Sequence, residues 1–407
     1  MERQATMEHS ITPVTIQGRY FWKGNIRFIM NGVVYKSHVP LDILADNHIK
    51  FLEHDIPLLR ALKINTIFVS HIDGTKSHKA CMNLLAENEI YVLVSIGSPV
   101  SLFTFRPLIP YTSNSMQDVF QVVENLASYP NLLGFTILNE PIKDLAPEAA
   151  GPVIRAIVRD TRRYVSLLAG KKHQRAIPVG VFLLQTTLPL EDQFEYSCSG
   201  KDNETVDFFV FNYVDFGIRT PMQTPRESDP LKIFSNTHIP VSFVYCDDSH
   251  QYLATRSIYL DPDMRRVFSG GIVHQFFGGL TQDGLVGPKI ASLGSGRQVR
   301  CERKIDYFNL LDSVHAAFQK LPASIMARSR LLEAIAMSGR KPRQPDPKRN
   351  LLALGQVPAS PVNWTEVEAC IIDESEWVDA GKELLELSVD DLVATMWDKL
   401  NIDEADP

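Results

Sequence analysis

Cysteine is scarce in this chain: five residues in 407, an odd number. That excludes a fully paired disulfide framework within one chain, and no CxxC pair is present to build a zinc site. Positive charge has no surplus, with 41 Lys+Arg against 48 Asp+Glu and a net charge of −7. A general nucleic-acid binder, which carries a basic excess, is therefore not expected. Long apolar runs are missing too, since no stretch approaches the roughly 18 residues that suggest a membrane span. The first ten residues, Met1 to Ser10, hold no apolar core of a secretory signal. The acidic end, Asn401 to Pro407, lacks the hydrophobic tail of a lipid-anchor signal. The expectation is a cytoplasmic protein with no membrane contact, secretion being the alternative if the chain is a truncated product. Asn203-Glu204-Thr205 and Asn363-Trp364-Thr365 match glycosylation acceptors but mean little without a secretory route. No strand-like run opens into a Gly-rich phosphate loop, and Gly294-Ser295-Gly296 is too short for one. His71, Asp73 and His78 lie close in sequence but define no metal set, so neither a cofactor nor a metal is expected.

What is present is an ordinary globular composition, 44% hydrophobic and 22% charged. Charge is unevenly placed. Residues 364–407 hold 14 acidic and 2 basic side chains, a net of −12, which leaves +5 for residues 1–363. Before that tail comes a stretch with Pro342, Pro345, Pro347, Pro358 and Pro361 and a basic cluster at Arg340, Lys341, Arg343, Lys348 and Arg349. Prolines remove backbone donors and fix φ, so 341–363 reads as an extended, poorly ordered linker. Beyond it Leu385, Val389, Leu392, Val393, Met396 and Leu400 recur at helical spacing after Ser388. This acidic helical tail either straps back onto the main domain or contacts a protein partner, and deleting 364–407 is expected to leave the main domain folded.

Residues 12–320 have a different rhythm. A hairpin-like start over 14–29 is followed by short apolar, β-rich runs at 27–35, 65–72, 91–97, 132–138, 177–183, 207–214, 239–245 and 271–277. Amphipathic helical patterns lie between them at 49–62, 79–88, 115–128 and 152–168, with another at 305–320. Runs this apolar are buried on both faces, as parallel strands covered by helices are. Eight strand–helix repeats predict an α/β fold, a (β/α)8 TIM barrel over 1–320 with a short N-terminal hairpin, then a terminal helix at 321–340. A doubly wound open sheet is the alternative.

In such a barrel the active site lies at the C-terminal ends of the strands. The fourth run ends Leu138-Asn139-Glu140-Pro141, which puts a candidate general acid/base, Glu140, beside Asn139, a candidate partner for a substrate hydroxyl. Here the chain resembles the fungal β-1,3-glucanosyltransferases, the glycolipid-anchored cell-wall remodelling family also grouped as glycoside hydrolase family seventy-two. The resemblance runs over roughly 14–320. It is carried by Phe21-Trp22-Lys23-Gly24-Asn25-Ile26-Arg27-Phe28, Asp55-Ile56-Pro57-Leu58-Leu59, Asn65-Thr66-Ile67, Cys81-Met82, Leu133-Gly134-Phe135 with Asn139-Glu140, Ile177-Pro178-Val179-Gly180, Asp207-Phe208-Phe209 with Asn212, and Phe268-Ser269-Gly270-Gly271-Ile272-Val273. It implies a barrel and a retaining mechanism that uses two glutamates about 5–5.5 Å apart. Glu140 matches the acid/base.

The resemblance fails where sugar would be handled. The family's Ser-Glu-Tyr-Gly-Cys after the seventh strand stands here as Val244-Tyr245-Cys246-Asp247-Asp248, so Tyr245 matches the nucleophile position. Ser70 replaces a Tyr after the second strand, Phe216-Gly217 replaces Trp-Cys after the sixth, and His274-Gln275 replaces Tyr-Glu after the eighth. The resemblance therefore implies a divergent member with a degenerate site. Three readings follow: a non-catalytic homologue that binds β-glucan or a partner; a barrel repurposed for small-molecule (secondary metabolite) biosynthesis, with Glu140, Tyr245, Asp247 and His274 as acid/base candidates; and a transglycosidase in which Asp247, about 6–7 Å further along, replaces the lost carboxylate. Asn139, Asn212, Ser70 and Gln275 are the substrate-binding candidates. Cys81 and Cys198 fall where secreted members carry bridged cysteines, whereas Phe51, Gly217 and Asp248 stand at partner positions, as in a chain adapted to a reducing compartment.

Overall fold

The computed structural model describes residues 11–36, 42–96, 111–139, 147–172, 174–183, 189–213, 230–245, 259, 261–276, 285–293, 296–303 and 356–371. Strands β1 (Val14–Gln17), β2 (Tyr20–Lys23) and β3 (Ile26–Phe28) form an antiparallel sheet. Eight parallel strands then close into a barrel: β4 (Met30–Val34), β5 (Thr66–Val69), β6 (Tyr91–Ile96), β7 (Leu132–Asn139), β8 (Val179–Leu183), β9 (Phe209–Tyr213), β10 (Val241–Tyr245) and β11 (Gly270–Val273), with β11 pairing back onto β4. The expected run at 27–35 is two strands, one of the hairpin and one of the barrel, separated at Ile29. Helices α1 (Ile49–Ala61), α2 (Lys79–Glu87), α3 (Ser113–Leu126) and α4 (Pro147–Lys171) match the helical patterns, although α4 is longer than the 152–168 pattern. Shorter helices α5 (Leu190–Ser197), α6 (Pro230–Phe234) and α7 (Pro262–Val267) follow later strands. The Thr112 hydroxyl accepts from Ser115 N–H to start α3, and the Asp261 carboxylate accepts from Asp263 and Met264 N–H to start α7.

Alternation along the strands divides the core in two. Val34, Phe68, Leu93, Phe182, Val210, Val244 and Ile272 fill the pore. Their neighbours Val33, Ile67, Val94, Val181, Phe211, Phe243 and Val273 pack outward, in the larger cluster shared with the helices. The pore is a packed core rather than a channel. At its N-terminal end the hairpin acts as a plug: Phe21 meets Phe208 edge-on at 5.7 Å and Phe28 meets Tyr91 at 5.0 Å. Arg19 fixes the plug by donating to the carbonyls of Ser235 (2.8 Å) and Phe234 (2.9 Å). Phe208 fits only because Gly180 has no side chain; a Cβ there would sit 2.6 Å from the Phe208 ring. Gly270 opens β11 at φ +95°, where a Cβ would lie 2.1 Å from the Met30 carbonyl oxygen.

After the barrel, strands β12 (Val286–Leu293) and β13 (Gly296–Arg303) pair antiparallel, and Gly294 and Ser295 lie outside the described residues. Residues 356–363 are extended as the prolines dictate, but they are held against the barrel rather than loose. Arg159 donates to Pro358 O (3.0 Å), Ser360 donates to Asp160 (2.6 Å) and Ser113 to Pro361 O (2.5 Å). Helix α8 (Trp364–Cys370) continues this strap across α3 and α4. The patterns at 305–320 and 321–340, the rest of the linker and the tail helix after Ser388 lie outside the described residues. No helix among the described residues is long and apolar enough to cross a membrane.

Candidate functional site

The strands deliver one short polar set to the C-terminal mouth of the barrel. On pore-facing positions these are Ser95 on β6 and Asn212 on β9, with His274 and Gln275 just beyond β11 and Lys36 just beyond β4; Ser242, near the start of β10 and in register with Val210, faces the pore lower down. Ser70 and His71 follow β5, half-buried. Among the described residues, Asn212 Oδ1 and Gln275 Oε1 are buried with no hydrogen-bond partner, as are the Ser95 hydroxyl and His71 Nδ1. Buried polar atoms are normally paired, so this cluster of unpaired ones marks the mouth as a place built to receive polar groups. Burial pushes the His71 pKa below its ordinary 6.5, against the pull of Asp42 and Asp73, so the ring is neutral near pH 7. The Lys36 ammonium lies 3.4 Å from His274 Nε2, and His274 N–H donates to Tyr245 O (2.8 Å), which extends the ladder between β10 and β11. Below this level Phe68 and Phe182 meet edge-on at 5.2 Å and close the pore.

Of the candidate catalytic groups, His274 reaches the mouth and Tyr245 does not. Tyr245 is fully buried in the outward cluster, against Phe243 (5.9 Å), while its neighbour Val244 takes the pore side. A Cβ on Gly271 would come within 3.1 Å of its ring, so the missing side chain at 271 makes room for it. Glu140 and Asp247 lie outside the described residues. Among the substrate-binding candidates, Asn212, Gln275 and Ser70 stand at the mouth, and Asn139 ends β7 in register with Leu183. Lys36, Ser95 and Ser242 were not anticipated. Their signal is a polar residue on the pore-facing alternation of an otherwise apolar run.

The His71, Asp73 and His78 group is split. His78 is sequestered, with its two ring nitrogens on Asp42 Oδ2 (2.7 Å) and Asn125 Oδ1 (2.8 Å). Burial opposes charging of His78, but the bond and charge of Asp42 outweigh it and raise its pKa above 6.5. Burial likewise works against the Asp42 carboxylate, and the His78 bond together with the N–H groups of Asp73 and Leu44 overcomes it and lowers that pKa. Asp73 instead closes its own turn through Thr75 and Lys76.

Comparison with known proteins decides what this barrel is related to. A family model described as glucanosyltransferase matches residues 3–304. The chain belongs to the glucanosyltransferase family. A 1,3-beta-glucanosyltransferase of Aspergillus fumigatus is 31% identical over 283 residues, covering 68% of this chain and 61% of that protein. One from Saccharomyces cerevisiae is 29% identical over 309 residues, covering 72% and 62%. The chain thus spans about three-fifths of the length of these curated relatives. Among solved structures, Saccharomyces cerevisiae Gas2p in complex with laminaripentaose is 25% identical with a TM-score of 0.61, covering 76% of this chain and 70% of that one. The family resemblance and the (β/α)8 barrel both hold.

Cys81 and Cys198 are free and buried, and Phe51 is 61% exposed. Burial pushes the Cys81 thiol up to about 12, with Asp46 and Asp42 adding to it, and pushes Cys198 higher still.

Proposed function

We propose that this chain is a glucan-binding member of the glucanosyltransferase family that does not run the family's ordinary two-carboxylate transfer. One observation carries the reading: β10, Val241–Tyr245, has no carboxylate, and Tyr245, which matches the nucleophile position, is buried outside the pore. A phenol packed among the outward-facing side chains is not presented to a substrate in the pore, as a glycosyl-accepting nucleophile must be. The unpaired atoms of Asn212, Gln275 and Ser95 favour a neutral, hydroxyl-rich ligand, because sugar hydroxyls donate and accept alike. The laminaripentaose complex of Gas2p supports a β-1,3-glucan as that ligand.

Calorimetry with laminaripentaose tests this. Saturable binding is expected, weakened about tenfold in Asn212→Leu, as losing one or two hydrogen bonds to a sugar would do. Chain elongation of reduced laminari-oligosaccharides that disappears in Glu140→Gln would show instead that a transferase has been retained, with Asp247 the replacement carboxylate. A second reading rests on Lys36 and His274, 3.4 Å apart. This pair places a candidate acid/base imidazole beside a cation at the mouth and would suit a barrel repurposed as an enzyme of small-molecule biosynthesis. The free, buried Cys81 and Cys198 support a reducing, intracellular setting for either reading.

A further inference from the structure

A groove of about 580 Å³ lies at the opposite, N-terminal face of the barrel. Its walls are the hairpin strand β1, the second half of α4, and the segments that lead into β8, β9 and β10. That volume falls within the range of small-molecule sites. The charge inside the groove does not balance. Arg162 is satisfied, donating to Thr205 O and Oγ1 and pairing with Asp207 at 3.0 Å. Asp207 also accepts from Val179 N–H (2.9 Å), so its charge is consumed locally.

Arg175 is different. It donates to the carbonyls of Val14 and Leu132, and among the described residues it has no carboxylate partner. A guanidinium has five N–H donors, so two carbonyls leave most of its capacity and all of its charge unused. Burial is deep enough to lower its pKa to about 10, with Tyr91 opposing. A cation in that setting is costly unless an anion accompanies it. Three further polar side chains border the same space: Ser166 on α4, Thr15 on β1, and His238 before β10. His238 has no hydrogen-bond partner among the described residues, and burial holds it neutral near pH 7, ready to donate from one nitrogen and accept at the other.

We propose that this groove is a binding site for a small organic anion, a carboxylate or phosphate monoester whose head group pairs with Arg175 and whose body lies against His238, Ser166 and Thr15. It is separate from the glucan reading of the mouth and does not depend on it, since the mouth lies at the other ends of the strands. The ionic head would give orientation and the neutral polar groups selectivity, the usual division of labour in such sites.

Isothermal titration of the full chain in a non-coordinating buffer tests this, with inorganic phosphate and succinate as probes. Saturable binding of at least one is expected, and whichever binds identifies the head group. Arg175→Gln could also loosen the plug, so the deciding variant is Ser166→Glu, which places a carboxylate on an exposed position at the groove wall. It should weaken binding about tenfold or more by like-charge repulsion. Laminaripentaose should not compete, and Asn212→Leu should leave anion binding unchanged. Failure of both anions to bind, or binding unchanged by Ser166→Glu, would overturn the proposal.

Discussion

Trp364 is the residue on which the strap depends most, and its removal can be worked through. Its ring sits 5.7 Å from Phe120, which is itself stacked on Tyr164 at 4.1 Å, and the Arg163 guanidinium lies over it at 4.2 Å. Its Nε1–H donates to Ser360 Oγ (3.1 Å), and Ser360 donates in turn to Asp160, a carboxylate only 1% exposed. Truncating a fully buried aromatic to Ala costs about 3–5 kcal/mol. Trp364 is half-buried, so about half of that applies. The cation–π contact and the indole bond each add about 0.5–1 kcal/mol. The Arg163–Glu368 pair (2.8 Å) is half-exposed on both sides and adds little. Trp364→Ala should therefore cost about 2.5–4.5 kcal/mol, which for a domain of this size is a fall in Tm of about 3–6 °C. Deleting 356–407 should cost more, because Asp160 also loses Ser360 and, among the described residues, keeps Arg159 and Tyr111. The barrel is expected to remain folded in both, with full far-UV ellipticity at 20 °C before the transition. Scanning calorimetry of the wild type, Trp364→Ala and the truncation decides the matter. Transitions within about 1 °C of one another would refute the strap as a stabilising element.

Other consequences follow from the same core. His78, with its pKa raised in the folded state, contributes stability fully present below pH 6.5 and lost as pH rises through the folded value. The Tm gap between wild type and His78→Leu should thus shrink as pH rises above 6.5; a gap independent of pH would show that Asp42 does not charge the ring. Gly180→Ala forces a Cβ into the Phe208 ring and should cost about 1–3 kcal/mol by overpacking, read by urea denaturation; an unchanged midpoint would mean Phe208 moves freely. Cys81 and Cys198, buried with raised pKa values, should resist iodoacetamide in the native protein and react after unfolding, as peptide mass mapping would show. Exposed Cys370 should react in both states. Native labelling of Cys81 would contradict its burial.

The barrel was legible because its strands are apolar on both faces and end abruptly at polar residues, so the runs at 91–97, 177–183 and 239–245 located β6, β8 and β10 closely. That same two-sided apolarity hid the site. In an antiparallel sheet with one wet face, alternation announces which residues point inward; in Val241–Tyr245 only Ser242 does, and the match to the family's nucleophile position suggested a pore-facing Tyr245. Closure of the barrel fixes the parity instead: Val244 pairs with Ile272 and Asn212 in the pore, which leaves Phe243 and Tyr245 outside. A single polar residue in such a run is the better guide to the pore side, where Ser95, Asn212 and Ser242 all point, with Ser95 and Asn212 towards the mouth. The tail from 364 reads as strapping back or contacting a partner, but the docking of 356–363 escaped notice for a related reason. Proline-rich composition reads as a linker, yet prolines also restrict the unfolded chain and so lower the entropy lost when an extended segment docks. What distinguishes a strap from a spacer is the presence of anchors, and here Ser360 and Trp364 each find a partner on α3 or α4 that composition alone could not name.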